Sequence, residues 1–340
     1  MKRIFLLVLS LALVLGGCSA GPGQSGPKQY TATFLDLFDT VTTIVGYASS
    51  EDEFREKAQG VHDDLLVYHR LFDIYEEYEG TANLKTINDM AGTAPVAVDR
   101  AVIDLLLDCR TYHAATGGKV NAAMGGVLRL WHDAREEGLD DPANAYLPDE
   151  NALREAAAHA SFDLIEIDEE NNTVFIKDSA LRLDVGAVAK GWAAQRVAEK
   201  SPEGLLISVG GNVCATGPKN GGAPWVIGIQ DPDGGDYLHT IYLEKGSVVT
   251  SGDYQRAYMV GGELYHHIID PDTLYPARLW RAVTVVCPDS GDADALSTAL
   301  FLLPYEEGLE LLMQFGAEAV WVGQNGEMQY SPGFADMIRT

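Results

Sequence analysis

The chain has 340 residues, 46% hydrophobic and 22% charged, enough for one large core and too apolar for wholesale disorder. Its formal net charge of −26 excludes a protein that tracks nucleic-acid phosphates or docks on anionic lipid by charge alone. An anionic small-molecule ligand then needs a local cation to offset repulsion, and a divalent metal is the obvious one.

In chain order, Lys2 and Arg3 precede an apolar run from Phe5 to Leu15 that is too short for a comfortable membrane span. The run closes on Leu15-Gly16-Gly17-Cys18, the pattern of a bacterial lipoprotein signal. Residues 1–17 are thus expected to be a cleaved leader and Cys18 the lipidated residue. The segment 18–30 reads as a Gly/Ser/Pro tether. The folded part, 31–340, is expected outside the cytoplasmic membrane on a lipid anchor. Cys109, Cys214 and Cys287 are spaced too widely for a disulfide framework or a zinc site and read as small core residues. A single disulfide between two of them stays open.

From there, 38–48 alternates like a strand, and 51–77 and 99–118 carry helical periodicity, the second ended by Gly117 and Gly118. A third helix starts in 148–160. Strands follow at 162–168, 172–178 and 180–186, with Glu170-Asn171-Asn172 in the first turn, then a helix at 187–200. Strands at 204–211, 225–232, 238–246 and 247–252 lead to a hairpin within 257–270, a helix at 292–303 and a last hairpin at 317–330. Strands outnumber helices and join through tight turns. The expectation is an α+β fold of mostly antiparallel sheets flanked by helices.

Four stretches are able to carry chemistry. In "LRLDVGAVAKGWAAQ" a strand delivers Asp184 to a helix start, where backbone N–H groups favour anions, with Lys190 inside the helix. The plainer reading makes Asp184 an N-cap and Lys190 a solvated side chain. In "PDSGDADALSTALFLLP", Asp294 and Thr298 stand four apart, opposite an apolar stripe of Leu296, Ala299, Leu300 and Leu303. They offer two hard oxygen ligands to Mg²⁺, or else a solvated face with Asp292 or Asp294 as cap. Gly210 and Gly211 mark a close backbone approach, to a ligand or to another strand. In "YHHIIDPDTLYP" strand alternation sends His266 and His267 to opposite faces, which argues against a paired-histidine metal site.

Taken together, "LDVGAVAKGWAAQ", "SVGGNV", "TSGDYQRAY", "HHIIDPDTLYP" and "VTVVCPDSGDADALSTALF" resemble the FAD:protein FMN transferases, the ApbE family, from about Thr31 to near the C-terminus. The resemblance implies a single T-fold-like catalytic domain. It also implies an enzyme that uses FAD and Mg²⁺, moves FMN to a threonine hydroxyl of an acceptor protein and releases AMP. By position, Asp294 and Thr298 match metal ligands, with a further backbone ligand near Ala187. Asp184, Lys190 and Ile269 match FAD-contacting positions, and His267 matches the histidine near the reacting diphosphate, a candidate base. Looser FAD contacts fall near Phe38, Tyr75 and Ala122, Ala123 and Met124. The chain departs from the family pattern at Asn121-Ala122-Ala123-Met124-Gly125, at Phe38, where a methionine is common, and at Leu274, where glycine is common. Two other readings are an Mg²⁺-dependent FAD pyrophosphatase using the same residues and a non-enzymatic flavin-binding lipoprotein.

Overall fold

The computed structural model describes residues 26–339, so the leader 1–17 and Cys18 lie outside the described residues. The chain opens with the hairpin β1 (Lys28–Leu37) and β2 (Thr40–Ala48), and β1 begins inside the expected tether. α1 (Glu51–Phe72), α2 (Leu84–Asp89), β3 (Val96–Ala97), α3 (Arg100–Ala115), α4 (Gly125–Asp140) and α5 (Glu150–Ala157) follow. β4 (Ile165–Asp168) and β5 (Thr173–Ile176) form a small sheet with β3. Next come α6 (Ala189–Lys200), β6 (Leu205–Val209), β7 (Asn212–Ala215), β8 (Trp225–Gln230), β9 (Tyr237–Leu243) and β10 (Gly246–Gly252). The chain closes with β11 (Tyr258–Val260), β12 (Glu263–Tyr265), β13 (Trp280–Cys287), α7 (Ser290–Leu302), α8 (Tyr305–Phe315), β14 (Glu318–Gly323) and β15 (Met328–Tyr330).

The main sheet has eight strands in the order β1-β2-β6-β7-β10-β13-β14-β15, and each neighbour runs antiparallel. Period-two alternation divides its side chains between two cores. Ile44, Ile207, Cys214, Val249, Val283, Val285 and Trp321 face α1, α6 and α7. Val45, Leu206, Val213, Val248, Val286 and Val320 face the β8–β9 hairpin and Phe334. A third cluster, built on Val127, Trp131 and Ala134 of α4 with Leu153 of α5 and Tyr258 of β11, forms a smaller lobe. Cys109, Cys214 and Cys287 are free and buried.

Several expected elements differ. α1 stops at Phe72 because the Asp73 carboxylate accepts from the N–H groups of Tyr75 and Glu76 and from the Tyr78 hydroxyl, turning the chain away. The segment 180–186 is not a strand: it runs extended, bonding Gly125 N–H to Arg182 O at 2.9 Å and Asp184 N–H to Ala122 O at 2.8 Å. α4, α8, β1 and β13 lie where no element was expected. α7 starts at Ser290 on an Asp289 N-cap, so neither Asp292 nor Asp294 is the cap. It is buried on nearly every side, which removes the expected solvated face. β12 ends at Tyr265, so both histidines lie beyond the strand.

Candidate active site

The α6–α7 contact places the first group. A Cβ on Gly191 would overlap the Ser290 carbonyl oxygen and stand 2.5 Å from Asp294 Cβ, so only glycine lets these helices meet this closely. The contact lets Gly191 N–H donate to Asp294 Oδ2 at 2.9 Å. Lys190 Nζ donates to Gly186 O at 3.1 Å and lies 3.8 Å from Asp294 Oδ2. Burial pushes the Asp294 carboxyl above its ordinary pKa, and the Lys190 cation and the Gly191 N–H act against that. Thr298 sits one turn further along the same helix and is partly exposed. Val188, without a side-chain bond, caps α6; Asp184 instead accepts from Gly186 N–H at 2.8 Å.

The second group comes from the loops after β10 and β12. His266 is buried with both ring nitrogens engaged, Nε2 with Ala277 O at 2.8 Å and Nδ1 with Ile268 N–H at 3.2 Å. His267 contacts the Gln255 carbonyl through Nδ1 at 3.2 Å, which assigns the proton to Nδ1 and leaves Nε2 as an acceptor. Burial first, then the cations Arg256, Arg135 and Lys190, hold His267 well below the usual histidine pKa, so the ring is neutral at pH 7. Arg256 and Lys190, together with His132, also act on Asp184, whose carboxyl is nevertheless raised by burial. One set of cations therefore bears on His267 and Asp184 alike.

α4 supplies the third group. Tyr75 lies over His132 with ring centroids 5.4 Å apart, and Arg129 sits 5.8 Å from the Tyr75 centroid. Burial and the Asp184 carboxylate push the Tyr75 phenol up to about 12, against Arg129, Arg135 and Arg256. Phe38 and Tyr75 are tied through intervening side chains: Phe38 N–H donates to His69 Nδ1 at 3.1 Å, Tyr78 OH meets His69 Nε2 at 3.3 Å, and Asp73 joins Tyr78 to Tyr75. Ala123, Met124 and Ile269 are buried, and the Ala123 and Met124 N–H groups donate to Asn121 Oδ1 at 2.9 Å and Asn121 O at 3.2 Å. Gly210 and Gly211 form the β6–β7 turn against Thr40, so the close approach is to a neighbouring hairpin.

Left-handed backbone gathers in the same segments. Phe38 (φ 52°) and Asp39 (φ 49°) form the β1–β2 turn, and Arg256 (φ 43°) and Leu274 (φ 62°) lie in the loops beside His267. Each costs about 1–2 kcal/mol for a residue with a Cβ. Leu274 occupies the position where glycine is common, and its carbonyl is held by Trp131 Nε1 at 2.9 Å.

Sequence reasoning missed His132, Arg135 and Arg256. The signal for α4 was present in Val127, Trp131, Ala134 and Gly138 at helical spacing, behind a Gly125-Gly126 pair that reads as a turn. Among the described residues no three His, Cys, Asp or Glu side chains cluster as a metal cage. The hard-oxygen set of Asp294, the Thr298 hydroxyl and the Ala187 carbonyl does suit Mg²⁺ that takes its remaining ligands from water and phosphate. Asp294 keeps one oxygen outside its bond to Gly191, and the nearest cation is beyond hydrogen-bond range.

The antiparallel α+β fold thus carries, in an acidic chain, a hard-oxygen pair on α7, a histidine held neutral and several cations. Residues 38–321 match the ApbE family. A FAD:protein FMN transferase of Treponema pallidum (strain Nichols) is 34% identical, over 97% of this chain and 94% of the relative. One of Klebsiella pneumoniae (strain 342) is 31% identical, over 78% and 85%. The crystal structure of the ApbE protein of Thermotoga maritima superimposes with a TM-score of 0.82 at 31% identity, covering 92% of this chain and all (100%) of that one. The chain belongs to the ApbE family.

Proposed function

We propose that this chain transfers FMN from FAD to a threonine hydroxyl of an acceptor protein and releases AMP. The threonine oxygen attacks the phosphorus of the FMN half and the P–O bond to the AMP phosphate breaks, with its electron pair leaving on AMP. The hydroxyl proton passes to His267 Nε2. The observation that carries this reading is His267, fixed through Nδ1 by Gln255 and held neutral by burial and by the Arg256, Arg135 and Lys190 cations. A neutral imidazole is ready to accept a proton, and a bound diphosphate would offset the cations and raise its basicity as the reaction begins. Lys190, anchored by Gly186, presents an ammonium to the same ligand. Tyr75 offers a partly exposed aromatic face to the flavin or adenine ring.

Mg²⁺ would be held by Asp294, Thr298 and the Ala187 carbonyl, and when bound it neutralises diphosphate charge and stabilises the leaving phosphate. We further propose that the chain acts outside the cytoplasmic membrane, anchored through lipid on Cys18.

Incubating the protein with FAD, Mg²⁺ and an acceptor domain tests the reaction. The expected product is an acceptor heavier by one FMN phosphoester, absent when the target threonine is changed to valine. AMP and free FMN with no labelled acceptor would instead identify a pyrophosphatase.

A further inference from the structure

The motif "TSGDYQRAY" contains two charged side chains, Asp253, which pairs with Arg281, and Arg256. Arg256 is exposed, and its backbone is left-handed at φ 43°. The same loop is anchored three residues earlier: Asp253 N–H donates to Arg281 O at 2.9 Å, and the Arg281 guanidinium binds Asp253 at 2.9 Å and Asp233 at 2.7 Å. The preceding residue, Gln255, supplies the carbonyl that holds His267. A braced, strained loop thus fixes the histidine and the arginine together.

The neighbouring cations are already engaged. Arg129 pairs with Asp133 at 2.7 Å, Arg135 with Glu136 at 3.0 Å, and Lys190 has Asp294 at 3.8 Å. Arg256 alone among these four has no carboxylate in ion-pair range among the described residues. Its planar donor fork suits two phosphate oxygens at once.

We propose that Arg256 is a catalytic residue of the transfer, its guanidinium gripping the diphosphate oxygens of FAD beside His267. The assignment rests on the FMN-transfer reading. The charge of Arg256 also contributes to keeping His267 unprotonated before substrate arrives. Releasing this grip removes stabilisation of the transition state more than it removes flavin recognition, which belongs to other groups.

The test uses the full-length chain and Arg256→Gly. Glycine accepts φ 43° without strain, so the variant deletes the side chain while leaving the melting temperature unchanged or higher. The expected result is a loss of about 10²–10³ in kcat/KM for FAD. Added guanidinium should restore part of the rate, and Arg256→Lys should retain an intermediate rate. Wild-type kinetics in Arg256→Gly would overturn the proposal. A melting temperature that falls together with the activity, without guanidinium rescue, would assign Arg256 a structural role instead. Should the wild-type chain label no acceptor, the transfer reading fails separately, and Arg256 is judged by FAD binding. There, affinity at least about tenfold weaker in Arg256→Gly supports the grip, and equal affinity overturns it.

Discussion

Replacing Gly191 with alanine should loosen the seam that carries Asp294. The new Cβ would overlap Ser290 O and lie 2.5 Å from Asp294 Cβ, where ordinary contacts exceed 3.4 Å. α6 and α7 must then part by roughly 1 Å, an overpacking cost of about 1–3 kcal/mol. Separation also strips Asp294 Oδ2 of the Gly191 N–H, and a buried charged acceptor left unpaired costs about 1–3 kcal/mol. Alanine's better helix propensity returns about 1 kcal/mol, leaving a net loss of about 1–5 kcal/mol. Differential scanning calorimetry should show a melting temperature lower by roughly 2–8 °C. The Mg²⁺ concentration for half-maximal activity should rise as the carboxylate proposed to hold the metal is displaced. Gly60 in α1 is the control: its Cβ would meet nothing within 4 Å, so Gly60→Ala should stabilise by about 1 kcal/mol. A wild-type melting temperature for Gly191→Ala would refute the argument that this glycine sets the helix seam.

Asp294→Asn should weaken Mn²⁺ binding, followed by electron paramagnetic resonance, by about tenfold or more, because ligand charge sets affinity. Thr298→Val should raise the Mg²⁺ requirement where Thr298→Ser does not. Burial lowers the His266 pKa to about 4 from an ordinary 6.5, so the unfolded chain binds the extra proton between those values. Stability is therefore lost as pH falls from 6.5 towards 4, by roughly 3 kcal/mol from this group. Urea titrations should show that share of the pH dependence missing in His266→Gln. His267, held below the usual histidine range by burial and then by Arg256, should give a kcat/KM profile with no histidine limb near pH 6.5.

The sequence made the fold class legible because alternation and turn pairs are local signals: β6 to β7 and β11 to β12 turn on Gly-Gly pairs. It was less informative wherever a residue's state is set by distant packing. Asp294 reads as one member of a polar helical face, yet α7 lies buried against α6, β10 and β13 and the carboxylate is enclosed. α4 hides because its glycines mimic a turn, although they let the helix start abut the Arg182–Asp184 segment. The difference between His266 and His267 was attributed to strand alternation, whereas the histidines lie past β12 and differ by their partners. Arg256 was invisible as a special residue because the sign of its φ is not written in its side chain.

The central claim is transfer to a protein with His267 as base. It is tested most directly by covalent flavin fluorescence on a threonine-bearing acceptor domain, with FAD and Mg²⁺, for the wild type and His267→Ala. Labelling is expected from the wild type with one AMP released per flavin attached, and FAD binding without labelling from His267→Ala. Labelling by His267→Ala at the wild-type rate would contradict it.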